Sequence, residues 1–106
     1  MSSLEAEFAA LGTDVRAVIG LLDEAQESFW ANTLRRGLKQ IDACQLAGAT
    51  YVLGCYGGQH TFSDLVIGGQ WADTDPLRLR NLNARLSLLR SRTFESANAI
   101  TARRSW

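Results

Sequence analysis

Leu4, Phe8, Leu11, Val15, Val18 and Leu22 recur at alternating steps of four and three, so they fall on one stripe of a helix. Ser2 followed by Glu5 has the spacing of a capping box at its start. Gly12, Thr13 and Asp14 interrupt good helix formers, but the stripe keeps its phase through them, which favours one helix, bent if anything, over two. After a polar stretch from Asp23, Ser28 is placed to cap a second helix. Its apolar face is Phe29, Trp30, Leu34, Leu38, Ile41 and Leu46, and Gly48 is its stop.

Residues 49–56 are ambiguous, because Thr50, Tyr51 and Val52 also suit a strand. A lone strand would have no partner for its backbone groups, so a short buried helix is the better reading. Five of the sixteen residues from Gly54 to Gly69 are glycine. Thr61 or Ser63 can cap a brief turn there, giving loop, turn and loop. Gly57 and Gly58 are expected to shape this loop through positive φ. Asp75 and Pro76 then mark a strong helix start. Leu79, Leu82, Leu86, Leu89, Thr93, Ala97 and Ile100 continue that helix to about Arg103. The expected fold is one all-α domain over residues 1–106. It is an antiparallel bundle of three longer helices with a short helix and a Gly-rich loop.

Composition adds little beyond a globular chain: 46% hydrophobic, 21% charged, and a formal charge of zero. The distribution of charge is more informative. Residues 1–27 hold six acids against Arg16, and residues 76–106 hold seven arginines against Glu95. On a helix, Arg78, Arg85, Arg92 and Arg103 lie within about 40° of one another beside the leucine seam. Glu7 and Asp14 flank the seam of the first helix in the same way. One reading is that the first and last helices pack side by side and these charges pair across the join. The other is an anion-facing surface, for an acidic protein or for nucleic acid. Nucleic acid is disfavoured by the missing Lys and interleaved aromatics.

No membrane span or export signal is expected, since the start of the chain is acidic and the uncharged run from Ala43 to Ser63 is broken by glycines and polar residues. Cys44 and Cys55 form no CxxC pair and read as reduced, packed thiols of a cytoplasmic protein. His60 has Cys55, Thr61, Ser63 and Asp64 close by in sequence, the residue types of a nucleophile system. Catalytic groups converge from separate elements, however, so crowding within ten residues argues against an enzyme. Cys44, Cys55, His60 and Asp64 match no metal-ligand spacing, and the glycines form no phosphate loop, so no cofactor is expected. Trp30 belongs with the core. Trp71, in a polar loop, is expected to be partly exposed.

Trp30, together with Tyr56-Gly57-Gly58-Gln59-His60-Thr61-Phe62-Ser63-Asp64-Leu65, resembles a family of small bacterial proteins. Those carry a tryptophan early in an N-terminal helix and an aromatic-Gly-Gly-x-x-Ser-Φ-x-Asp-Leu segment before the last helix. Thr61 stands here for the usual Ser, and Gln59-His60 for Met-Gly. The resemblance implies a bacterial, cytoplasmic, helical protein similar to small immunity proteins encoded beside secreted toxins. On that basis the chain is expected to occlude a cognate toxin without catalysis. Gln59, His60, Ser63, Asp64, Trp71, Arg78, Arg85 and Arg92 are the expected contacts, with Gly57 and Gly58 shaping the loop. The alternatives are a homodimeric regulatory or scaffolding module, and an RNA- or DNA-binding protein using the arginine stripe.

Overall fold

The structure is a computed structural model that describes residues 3–57 and 61–103. Among them there is no strand, and the fold is all-α. Four α-helices, α1 (Leu4–Glu24), α2 (Ser28–Asp42), α3 (Leu46–Gly54) and α4 (Pro76–Thr101), carry the architecture. Between α3 and α4 the chain forms a strap with two single 3-10 turns, Phe62–Asp64 and Gly69–Trp71.

α1 is continuous. Thr13, which could have restarted the helix, instead donates its hydroxyl to Ala9 O one turn back at 3.0 Å. The N-cap is Ser3, whose Oγ accepts from Ala6 N at 3.1 Å, one residue later than the capping box placed it. Ser2 lies outside the described residues. α4 begins as its sequence signals, with Asp75 Oδ1 accepting from Arg78 N at 3.1 Å and Pro76 in the first turn.

The second helix departs from expectation at both ends. Its N-cap is Glu27, so Ser28 is already helical. It stops at Asp42 and does not run on to Leu46, which opens α3 instead. The stop is a Schellman motif: Cys44 N donates to Ile41 O and Gln45 N to Gln40 O, both at 2.9 Å, with Cys44 at φ 55. α1 ends in the same way, with Gln26 at φ 61, Gln26 N on Asp23 O and Glu27 N on Leu22 O. Gly48 is therefore not a terminator. It sits inside α3, where an added Cβ would stand 2.7 Å from the Ile41 backbone nitrogen. Gly48 lets α3 fold back against the end of α2.

α1 packs against α2 on one side and α4 on the other, and α3 bridges α2 and α4. The ion-pair order Arg103–Glu7, Arg92–Asp14, Arg78–Glu24 makes α1 and α4 antiparallel, and Arg16–Asp42 with Arg35–Asp23 does the same for α1 and α2. Buried residues from every helix and the strap join in one cluster: Phe8, Leu11, Val15, Val18 and Leu22 of α1, Leu34 and Ile41 of α2, Val52 of α3, Phe62 and Ile67 of the strap, and Leu82, Leu86, Ala97 and Ile100 of α4. Phe29 and Leu46 depart from the expected seam of the second helix: Phe29 is 67% exposed, because it borders the outer side of α2 and not the centre of the bundle, and Leu46, at the start of α3, is 40% exposed.

Candidate functional site

The strap is held from beneath. Asn83 accepts from Ile67 N at 2.9 Å through Oδ1 and donates through Nδ2 to Ile67 O at 2.8 Å, a two-way amide clamp on one strap residue. Arg90 Nη1 donates to Phe62 O and Leu65 O, each at 3.1 Å. The Tyr56 hydroxyl donates to Arg90 O at 2.7 Å, and Gln70 Nε2 reaches Ala25 O at the end of α1 at 2.8 Å. Phe62 is buried against the rings of Trp30 and Tyr56, and Tyr56 meets Phe94 edge-on. This segment is therefore a packed element whose outer side, with Asp64 and Val66, faces solvent.

Glycine has a narrower part in the strap than its density suggested. Gly57 does not adopt positive φ, which corrects the expected turn, and Gly58 lies outside the described residues. The position that needs glycine is Gly68, at φ 78, where a Cβ would crowd Leu79, Leu82 and Trp71 at 3.3 Å.

The arginine stripe faces α1. Arg78 and Arg85 lie 3.9 Å from Glu24, Arg92 lies 3.4 Å from Asp14, and Arg103 lies 2.9 Å from Glu7. Asp14 is buried and also accepts from Ser96 Oγ at 2.7 Å. The Arg78 guanidinium stacks 3.8 Å over the Trp71 ring, so Trp71 is half-buried. These cations are engaged within the chain, and the pairing across the helix join is the arrangement observed. The exposed pairs with Glu24 contribute about 0–1 kcal/mol each and chiefly select which helices meet.

Of the other expected contacts, Ser63 is half-buried and Asp64 exposed, while Gln59 and His60 lie outside the described residues. Cys44 and Cys55 are free thiols, but only Cys55 is buried; Cys44, at the αL cap of α2, is exposed and not packed as expected. Burial pushes the Cys55 thiol up, so it stays protonated at neutral pH, and its Sγ lies 3.5 Å from Tyr51 O. Burial likewise pushes the Tyr56 phenol well above its ordinary range, outweighing the Arg90 charge that acts the other way. Among the described residues no group of three or more His, Cys, Asp or Glu could hold a metal ion.

A second surface was not foreseen. Phe29, Trp30 and Thr33 of α2 face Thr50, Tyr51 and Gly54 of α3 and its C-cap Cys55 across an open cleft of about 430 Å³. The helices close on each other at the far end, where a Cβ on Gly37 would meet the Tyr51 ring at 2.6 Å and Gly48 abuts Ile41. From there they diverge. Phe29 sets its ring edge-on to Trp30 at 5.2 Å. The sequence signal for this cleft is two adjacent aromatics, Phe29 and Trp30. On a helix they stand 100° apart, so both cannot occupy the centre of one seam.

Among the described residues no helix is long and apolar enough to cross a membrane. Comparison with curated proteins and with solved structures finds no match. Residues 23–75 match a family described as Domain of unknown function (DUF6966). That span runs from the last turn of α1 through α2, α3 and the strap to the N-cap of α4, and contains Trp30, the Tyr56–Leu65 segment and both walls of the cleft. With half its length covered, including every residue of the cleft, the chain belongs to the DUF6966 family.

Proposed function

We propose that this chain is a protein-binding module that acts by covering a partner's surface and not by bond chemistry, with the α2/α3 cleft as its contact. The observation that carries this is Phe29, a large aromatic side chain 67% exposed at the mouth of an apolar cleft. Exposed aromatic groups beside apolar concavities are where partners anchor. The specific form is an immunity protein that binds and neutralises a secreted toxin in the cytoplasm; it comes from the resemblance at Tyr56–Leu65. The free thiol of exposed Cys44 fits a reducing compartment.

The test is co-expression with the product of the neighbouring reading frame. Toxicity of the neighbour alone, relieved by this chain and restored by Phe29→Ser, supports the reading. A neighbour that is harmless alone removes the immunity form, and a neighbour that never co-purifies removes this pairing. A second reading is a homodimer through α4, favoured by Leu77 and Leu88, each 61% exposed and eleven residues apart on one helical face. Sedimentation of a monomer at high concentration would refute it.

A further inference from the structure

The geometry points to a binding site for a small zwitterion, an α-amino acid with an apolar side chain, in the cavity between α4 and the strap. This goes beyond the protein-binding reading above and does not depend on it. The cavity, of about 280 Å³, is lined by Tyr56, Ser63, Arg90, Ser91, Phe94 and Glu95. Four of these come from two neighbouring rows of α4, because Arg90 and Phe94 are one turn apart, as are Ser91 and Glu95. The volume lies just below the roughly 300–1,000 Å³ of most small-molecule sites, which suits a single amino acid better than a nucleotide.

Two opposite charges on its lining are uncompensated. Arg90 is half-buried, and its Nη1 donates to the neutral carbonyls Phe62 O and Leu65 O. Among the described residues Nη2 and Nε have no acceptor and no carboxylate pairs with this guanidinium, whereas Arg78, Arg85 and Arg92 of the same helix all face acids of α1. The strap carbonyls thus hold one side of a rigid fork and leave the rest of it for a carboxylate. Tyr56 does not neutralise Arg90, because burial keeps its phenol un-ionised and its O–H is held by Arg90 O. Glu95, the one acid of α4, is exposed and has no ion-pair partner among the described residues, Arg90 included. Beside these charges the Phe94 ring, 41% exposed and edge-on to Tyr56, offers an apolar surface. The Ser63 hydroxyl is engaged with Thr61 Oγ1 at 2.9 Å, so recognition rests on the two charges and the ring. A ligand with one charge of each sign satisfies both walls; phosphate would be repelled by Glu95, and a bare amine by Arg90.

Free leucine is the probe. Its controls are isocaproate, which keeps the carboxylate without the amine, isoamylamine, which keeps the amine without the carboxylate, and inorganic phosphate. Affinity is read by titration calorimetry on the whole chain, and location by the backbone amide NMR shifts of Ser63, Ser91 and Glu95. Leucine should bind about tenfold or more tighter than any control. Arg90 also clamps the strap, so the variants leave it in place. Glu95→Gln should lower leucine to the affinity of isocaproate, and Ser91→Phe, at an exposed helix position that lines the cavity, should abolish binding while circular dichroism shows an intact fold. Absence of leucine-induced shifts at these amides, equal affinity for leucine and isocaproate, or leucine binding indifferent to Ser91→Phe overturns the inference. So does tighter binding of phosphate, which would make this a plain anion site.

Discussion

Gly20 and Gly48 both lie inside helices, yet replacing each with alanine should move stability in opposite directions. Alanine is favoured over glycine by about 1 kcal/mol in a helix interior. At Gly20, on the exposed side of α1, an added Cβ meets nothing within 4 Å, so most of that gain should appear. At Gly48 the same atom would stand 2.7 Å from Ile41 N, 2.9 Å from Ile41 Cγ1 and 3.0 Å from Gln40 C. Two of these neighbours are backbone atoms of the Schellman turn that ends α2, and they cannot rotate away. α3 must move outward, and overpacking of this kind costs about 1–3 kcal/mol. Set against the propensity gain of about 1 kcal/mol, this leaves a net loss at Gly48 of up to about 2 kcal/mol. For a domain near 100 residues, 1 kcal/mol shifts Tm by about 4–8 °C. The assay is paired thermal and urea unfolding, with the urea slope showing whether the unfolded reference has changed. Stabilisation by both substitutions would refute the close approach of α3 to α2.

Three further outcomes follow from named contacts. Thr93 is fully buried and its Oγ1 has no hydrogen-bond partner among the described residues, so Thr93→Val, which keeps the shape, should raise stability by about 1 kcal/mol in urea unfolding. Asn83→Leu leaves the Ile67 N–H and C=O without their clamp and should cost about 1–3 kcal/mol, with faster hydrogen exchange at the Ile67 amide. The Tyr56 phenol is raised in the folded protein, so its contribution to stability is complete below the unfolded-state value of about 10 and declines as pH rises above that. An absorbance titration of the native protein should leave this tyrosine un-ionised where a free one ionises.

The parts legible in the sequence were those encoded by repetition. The 3–4 spacing of Phe8, Leu11, Val15, Val18 and Leu22 and the matching run in α4 placed the core, and the seven-residue steps of Arg78, Arg85 and Arg92 placed the join between α1 and α4. The break between α2 and α3 was illegible because its left-handed cap is Cys44 where glycine is usual, while the glycine nearby, Gly48, serves close packing inside a helix. The strap clamps were missed because Asn83 and Arg90 are polar residues that lie off the leucine seam, where apolar periodicity gives no signal. Seven apart, they flank the leucine seam on the side away from the arginines, a spacing that marks a second packed face. The cleft escaped notice because assigning Phe29 to the core hid the divergence of two helices.

The join between α1 and α4 also bears on how the chain reaches this state. α1 and α2 form a local hairpin that can assemble as soon as both are made, but the other side of α1 is covered by α4, some 70 residues further along the chain. Until α4 arrives, a synthesised segment ending before Pro76 presents Glu7, Asp14 and Glu24 with no arginine opposite them. Closing the bundle is thus the long-range step. It brings opposite charges from the two ends of the chain together, an attraction that acts at a distance before any apolar contact has formed.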